Sequence, residues 1–339
     1  MKTTKLHLLS YLLGLSALFA GCDTIHEFPN DEPVDPTLIE VNITLTIDMQ
    51  FPQDTIYQTY AIQEGDYDIR YIVDIYEPDP KMPNVAGHRV KRLVKTEDRP
   101  PYDQTYHLTD TLSLPARKYQ IITWIDFVEK GKQTDKYYHT EDLQNVSIIP
   151  NNNQYQGYSV TRDAFSAQDE MDLTPYRGQR YVHYSMLIEV IRPFAIYQII
   201  TTDIEKYRTY HQASYASVYA SQTKLQYNLF FPMGFNACLQ FPINLLPGIN
   251  YSYDIEENVL ATEAILASDY VFVKGDAFYL VDFQIFSAEG KLINALSGLR
   301  INLKQNHLTI IRDEFLTKDL NNGSVGVNDR FDDEIIIHI

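Results

Sequence analysis

Cysteine is the scarcest reactive residue type in this chain of 339 residues, occurring only as Cys22 and Cys238. Cys22 closes an apolar run, LLSYLLGLSALFAG, that begins just after Lys2 and Lys5. A basic start, an apolar centre and a small-residue end make an export signal. The run falls short of the roughly 20 apolar residues of a spanning helix. The acidic DTIHEFPNDEPVDP that follows offers no basic stop-transfer flank. Phe19-Ala20-Gly21-Cys22 fits the bacterial lipobox, in which a small residue precedes the cysteine. The chemistry expected there is thioether diacylation of the Cys22 thiol, cleavage before it, and acylation of the amine so released. Each buried CH2 contributes about 0.8 kcal/mol, and stable anchoring needs two such signals, which three acyl chains exceed. The competing reading is an ordinary secretory signal with a chance cysteine at its end.

No other stretch carries comparable chemistry. Cys238 lies in FFPMGFNACLQF, an apolar setting that predicts a small core residue rather than half of a disulfide. An exported chain would permit a disulfide framework, but acylation of Cys22 leaves Cys238 without a partner. Gly131-Lys132 lacks the earlier glycine and the following Ser or Thr of a phosphate-binding loop, so it reads as a solvated turn. DLNNGSVGVND places Asp319, Asn321 and Gly323 like a calcium loop, yet the glycine comes one place early. Arg330 also stands where the bidentate Glu belongs. The nine histidines form no HExxH and no close His/Cys cluster, and no GxSxG occurs. Asp332-Asp333 and Glu256-Glu257 are adjacent pairs, and neighbours on a strand point to opposite faces, so they read as solubilising charges. The expectation is a protein that is not an enzyme, with no cofactor and no metal.

Composition narrows the partners. The formal charge is −17, and removing the signal with its two lysines leaves −19. So acidic a body argues against nucleic acid and against direct adhesion to anionic lipid. Apolar residues make up 45% and aromatics 13%, enough to build real cores. Tyrosine is the dominant aromatic, 26 against 16 Phe and one Trp, which suits half-buried strand positions and contact surfaces.

The elements read as β throughout. After the signal (1–21), residues 22–37 form an acidic, proline-bearing tether. IEVNITLTIDMQF then alternates, with Val41, Ile43, Leu45 and Ile47 on one face. YDIRYIVDIYEP sets Ile69, Tyr71, Val73 and Ile75 against Arg70, Asp74 and Tyr76. YDQTYHLTDTLSLPARKYQIITWIDFV predicts two strands around Pro115, with EKGKQTDKYY as a hairpin loop. RDAFSAQDEMDL reads as a break with a short helical turn. QRYVHYSMLIEVIRPFAIYQIIT predicts two strands hinged at Arg192-Pro193, and TTDIEKYRTYH is the best helix, capped by Thr202 or Asp203. Strands at this spacing favour sandwiches, one over 38–174 and a second, similar one over 175–339.

Several segments resemble a known family. The lipobox before an alternating strand, YQIITWIDFV, RDAF, RPFAIYQIITTDI and the ending NHLTIIRDEFLT…NDRFDDEIIIHI are similar to Bacteroidetes lipoproteins of the fimbrillin superfamily. That superfamily includes fimbrial anchor subunits. The resemblance implies an all-β fold of two tandem transthyretin-like β-sandwich domains. It also implies outer-membrane attachment and a part in anchoring or capping a fimbrial polymer through partner subunits. Polymerising members carry a protease-released N-terminal strand. The candidates here, Arg70 and Arg89, lie in or beside strand pattern, which favours an anchor or accessory subunit over a shaft subunit. Assembly would proceed by strand addition to an open sheet edge, with EIIIHI expected to end a sheet rather than to reach a partner. Asp23 and Glu27 resemble surface-export signals, and Thr24, Thr55 and Thr111 follow Asp and precede an aliphatic residue, like the O-glycosylation acceptor of exported Bacteroidetes proteins. The alternatives are a surface glycan-binding lipoprotein, suggested by the tyrosines, and a hydrolase with an unrecognised site. Coplanar exposed tyrosines would point to sugar, and an open apolar groove beside a sheet edge to a strand partner.

Overall fold

Strand β1 (Leu38–Asp48) obeys its alternation: Val41, Ile43, Leu45 and Ile47 are all buried. β-Branched and leucine side chains every second residue give a strand one apolar face, and that face needs a second sheet to cover it. β1 pairs antiparallel with β4 (Thr105–Pro115), Val41 opposite Leu112. On its other side it pairs parallel with β9 (His183–Val190), Ile43 opposite Met186. The covering sheet runs β3-β2-β5-β8, made of β2 (Tyr67–Asp79), β3 (Met82–Asp98), β5 (Lys118–Glu129) and β8 (Ala164–Asp172). Between the two sheets Ile39, Val41, Ile69, Tyr71, Ile121, Ile125, Phe127 and Phe165 form the first core. Each fully buried side chain of this kind contributes about 1.5–3 kcal/mol.

The computed structural model describes residues 38–49, 66–79, 81–98, 105–179, 181–255, 262–318 and 333–338. The signal (1–21), Cys22 and the tether (22–37), Thr24, Thr55 and the 319–329 loop lie outside the described residues.

The second core repeats the plan of the first. β10 (Phe194–Thr201) pairs antiparallel with β15 (Ala264–Phe272) and parallel with β18 (His307–Asp313), as β1 does with β4 and β9. β19 (Asp333–His338) adds antiparallel to β18, so EIIIHI closes a sheet as expected. The opposing sheet runs β14-β11-β16-β17, from β11 (Ala220–Tyr227), β14 (Asn250–Asp254), β16 (Asp276–Ser287) and β17 (Leu292–Lys304). The chain is therefore all-β, built as sandwiches, with one arrangement of strands used twice. The predicted helix is present at Ile204–His211 with Glu205 in its first turn. Asp203 does not cap it through its side chain. That carboxylate accepts instead from the Thr201 hydroxyl and from the backbone N–H groups of Leu316 and Thr317, tying down the end of the β18 segment.

A small sheet joins the halves. β6 (Tyr138–His139) and β7 (Val146–Ile148) come from the first half, and they pair with β12 (Phe231–Asn236) and β13 (Phe241–Leu246) of the second in the order β13-β12-β7-β6. The EKGKQTDKYY stretch is thus not a hairpin loop, because β5 and β6 belong to different sheets. β12 approaches β7 so closely that a Cβ on Gly234 would stand 2.6 Å from the Val146 carbonyl oxygen. The small sheet covers the outer face of β2 and β5. Trp124 lies there with its ring 5.3 Å from Tyr138, 6.4 Å from Phe235 and 6.5 Å from Phe272, centroid to centroid.

Double coverage changes the reading of β2. Arg70, Asp74 and Tyr76, expected to oppose the apolar face, are themselves buried. Arg70 gives two hydrogen bonds to Asp126, at 2.9 and 2.7 Å, and one to Asp135 at 2.8 Å. Asp74 is salt-bridged to Arg89 and Arg92. RDAFSAQDEMDL, expected to break the pattern, is mostly β8, paired along β5 from Lys118↔Asp172 to Asp126↔Ala164. β9 lies beyond residue 174 yet completes the first core's sheet with β1. We propose the division between the halves at Arg192-Pro193, where the chain leaves one core for the other.

Candidate functional site

Two places gather residues that the sequence keeps far apart. The first is the junction between the cores. Arg192 and Asp163 are both fully buried. Arg192 donates from Nε to both Asp163 oxygens, at 2.9 and 3.1 Å, and from Nη2 at 2.9 Å. Its guanidinium lies 4.7 Å from the centroid of Phe165, and its backbone N–H donates to Asn306 Oδ1 at 3.2 Å. Burial raises the Asp163 pKa, against the pull of Arg192. The three segments RDAF, RPF and NHLT therefore meet at one ion pair.

Beside it, Arg162 points into the second core. Its Nη2 donates to the Tyr155 hydroxyl at 2.8 Å, and its Nη1 also bonds the Gly157 carbonyl. Asp269 accepts from the hydroxyls of Tyr155, at 2.8 Å, and Tyr227, at 2.7 Å. The Tyr197 hydroxyl stands 2.9 Å from those of both Tyr227 and Tyr251. Burial pushes the Asp269 carboxyl up to about 6, while Arg162 and the Tyr227 and Tyr155 hydroxyls pull it down. Burial likewise raises the pKa of all four tyrosines. A carboxylate ringed by phenols and an arginine resembles a reaction centre, but none of these side chains is more than 6% exposed. Its groups are spent on one another, and the cluster is structural. Here lies part of the tyrosine excess.

The second place is the free edge of the small sheet. β13 has the sequence FPINLL, without a charge, and stands at the end of its sheet with β12 as its neighbour. Phe241 is 51%, Leu245 53% and Leu246 47% exposed, so apolar side chains face solvent from both sides of the strand. Phe230, before β12, and Leu239, in the connecting turn, extend the patch. Pro242 is tolerated here because an edge strand can spare a backbone donor. The turn is fastened. Asn236 Oδ1 accepts from the N–H groups of Cys238 and Leu239, Gln240 donates to the Ser166 hydroxyl at 2.9 Å, and Lys274 reaches the Leu239 carbonyl. Cys238 is buried and forms no disulfide among the described residues, in keeping with the core position its setting predicts.

Contrast with β3 is instructive. That strand also ends its sheet, but it carries Arg89, Lys91, Arg92 and Lys95, the charges that ordinarily keep an edge from pairing. β13 carries no charge, and Pro242 at its start is its one edge-blunting residue.

The other sequence candidates are dispersed. Arg70 and Arg89 are held in ion pairs on β2 and β3. Thr111 is exposed on β4 and its hydroxyl donates to Asn42 Oδ1 at 2.6 Å. Tyr181 and Tyr210 are strongly exposed, the first ahead of β9 and the second on the helix. The parallel-ring pairs, Tyr158–Tyr270 and Phe235–Phe272, each contain a buried member. Among the described residues no group of three or more His, Cys, Asp or Glu could hold a metal ion, and no helix is long and apolar enough to cross a membrane. The signal missed in the sequence was FPINLL, a six-residue run without charge or alternation.

Fold and surface together define an all-β sandwich protein with an uncharged, apolar edge strand. The chain belongs to a family of unknown function (DUF6562), whose model matches residues 35–339. No curated protein matches it. Among solved structures, a candidate polysaccharide-binding protein (DUF1812) from Bacteroides thetaiotaomicron is 11% identical, with 82% of this chain and 93% of that chain covered and a TM-score of 0.47. The fimbrial anchor protein Mfa2 from Porphyromonas gingivalis is 10% identical over 81% of this chain and 90% of its own, with a TM-score of 0.42. A candidate cell adhesion protein from Parabacteroides distasonis is 9% identical over 90% and 98%, with a TM-score of 0.45.

Proposed function

We propose that this protein is a lipid-anchored fimbrial anchor or accessory subunit of the outer membrane's outer face, and that it holds its partner subunit through β13. The observation that carries this reading is the uncharged edge strand with Phe241, Leu245 and Leu246 turned to solvent. An extended segment of the partner adds to such an edge, its main chain supplying hydrogen bonds and its alternate side chains covering the apolar ones. Cys22, acylated, is the membrane attachment, and residues 22–37 are the tether that lifts the body away from the lipid. This role agrees with the one that the name of the Porphyromonas gingivalis structure gives its own protein.

Two substitutions separate the parts of the proposal. Cys22→Ala is expected to move the protein from the outer-membrane pellet to the soluble fraction, since the acyl chains supply all of its attachment. A Cys22→Ala protein that still sediments with the membrane removes the lipid anchor from the model. Leu245→Asp places a charge in the middle of the free edge. It is expected to lower recovery of fimbrial subunits in a pull-down by at least about tenfold. Stability should stay within about 0.5 kcal/mol of the parent because the site is exposed. Undiminished recovery with Leu245→Asp would rule out β13 as the docking edge. Digestion of intact cells with added protease reports the face, and a protected protein places it on the periplasmic side.

A further inference from the structure

The outer face of the β14-β11-β16-β17 sheet carries a second set of unusual features. Register places Gln226 opposite both Asn250 and Asp282, so these three side chains stand in one row across three strands. Lys224 is opposite both Ser252 and Gln284, making a second row. Neighbouring strands lie about 4.8 Å apart and alternate residues about 6.8 Å along a strand, so the two rows form a grid of polar groups. The grid lines a concavity of about 330 Å³, within the range of roughly 300–1,000 Å³ of small-molecule sites.

A bulge shapes its rim. Between Leu296 and Leu299, β17 sets two residues, Ser297 and Gly298, against the single Asp282 of β16. Gly298 has φ +71°, a left-handed conformation that glycine adopts without strain. Its N–H donates to Asp282 Oδ1 at 2.8 Å, and Asn228 Nδ2 donates to the same oxygen at 2.8 Å. Bulges of this kind re-aim a side chain and bend the strand, and here Asp282 is pinned through one oxygen with the carboxylate at the concavity. Phe286, half-buried one step further along β16, lies 4.8 Å under the Lys224 ammonium and sets an apolar ring beside the grid.

We propose that this concavity binds a neutral saccharide. Amide and hydroxyl side chains offer donors and acceptors side by side, the pattern that vicinal sugar hydroxyls, each both donor and acceptor, can satisfy. Lys224 and Asp282 balance in charge, and the chain's net −17 repels anionic ligands. Ala295 and Leu296, which line the concavity, supply the apolar surface for a sugar's C–H face. The site lies on a sheet separate from β13, so it adds a ligand to the strand-pairing role and does not rest on it.

The test is titration of the full chain with glucose, galactose, mannose, N-acetylglucosamine and their oligomers, beside heparin and sialyllactose as anionic probes. At least one neutral sugar should bind saturably, with about tenfold weakening in Gln226→Ala and in Gln284→Ala. Both side chains are exposed, so the thermal midpoint should not move, and the parent's unfolding curve controls for folding. Leu245→Asp should leave sugar binding intact, which keeps the outcome apart from that for the docking edge. The proposal is overturned if no neutral sugar saturates, if binding survives the double Gln226→Ala/Gln284→Ala substitution, or if the anionic probes bind in preference.

Discussion

Asp269→Asn is expected to lower stability most below about pH 4, where the protonated carboxyl of the parent contributes most, and least at pH 8, where that contribution has been lost. The same substitution should flatten the pH dependence of stability between about 4 and 6. The Asp269 carboxyl titrates near 6 when folded against 3.8 for the free side chain, chiefly because burial disfavours its charge. The folded state therefore binds this proton more tightly than the unfolded state does. Stability from this group is greatest below pH 3.8 and declines as pH rises to about 6, by about 3 kcal/mol in total. Asp74, Asp126 and Asp163 are raised by burial too and add slope of the same sign, whereas Asp135 is lowered and opposes them. Urea unfolding of parent and variant from pH 4 to 8 measures the difference. Parallel curves would show that Asp269 does not titrate in this window.

How much of this was legible beforehand depends on whether the deciding contacts are local. β1 and β4 were plain because each alternates, β5 because it is a short apolar run rich in isoleucine and aromatics, and the helix at Ile204–His211 because its sequence carries a first-turn acid. Cys238 read as a core residue from its neighbours alone. β8 was obscure because its second half is hydrophilic, and what makes it a strand is β5, more than thirty residues upstream. Arg70 and Asp74 looked solvent-facing because nothing local reveals that Asp126, Gln133 and Asp135 meet the first and the β3 arginines Arg89 and Arg92 the second. The tyrosine count was visible, but the meeting of Tyr155, Tyr197, Tyr227 and Tyr251 around Asp269 is made by tertiary structure. β13 went unnoticed for a related reason. Whether an apolar run is buried or left at an edge is decided by strand order, which periodicity does not encode. Cys22, the residue with the clearest chemistry in the sequence, lies outside the described residues and stands on its own pattern.

Arg192→Met is expected to cost about 3–5 kcal/mol, since it strands the Asp163 carboxylate in a site closed to water. Asp163→Leu should cost a similar amount by orphaning the guanidinium. The double variant should recover most of the loss, because replacing a buried pair by apolar side chains of similar volume is often neutral or stabilising. Such a coupling would show that the pair is not there for net stability. Its position suggests what it does instead. Asp163 directly precedes β8 of the first core, Arg192 precedes β10 of the second, and the bridge between Ser166 and Ile191 lies between them. A bidentate guanidinium–carboxylate pair fixes both distance and angle, so it sets how the chain crosses from one core to the other. Gln240, at the base of the β13 hairpin, bonds to Ser166 in the same junction. The double variant should therefore keep its stability yet unfold in two steps, followed by Trp124 fluorescence for the junction and by circular dichroism for the whole. It should also recover fimbrial subunits less well than the parent, because the docking edge is no longer held in register. Additive single-variant losses, or one cooperative transition with full recovery, would falsify the role of this pair as the clamp between the cores.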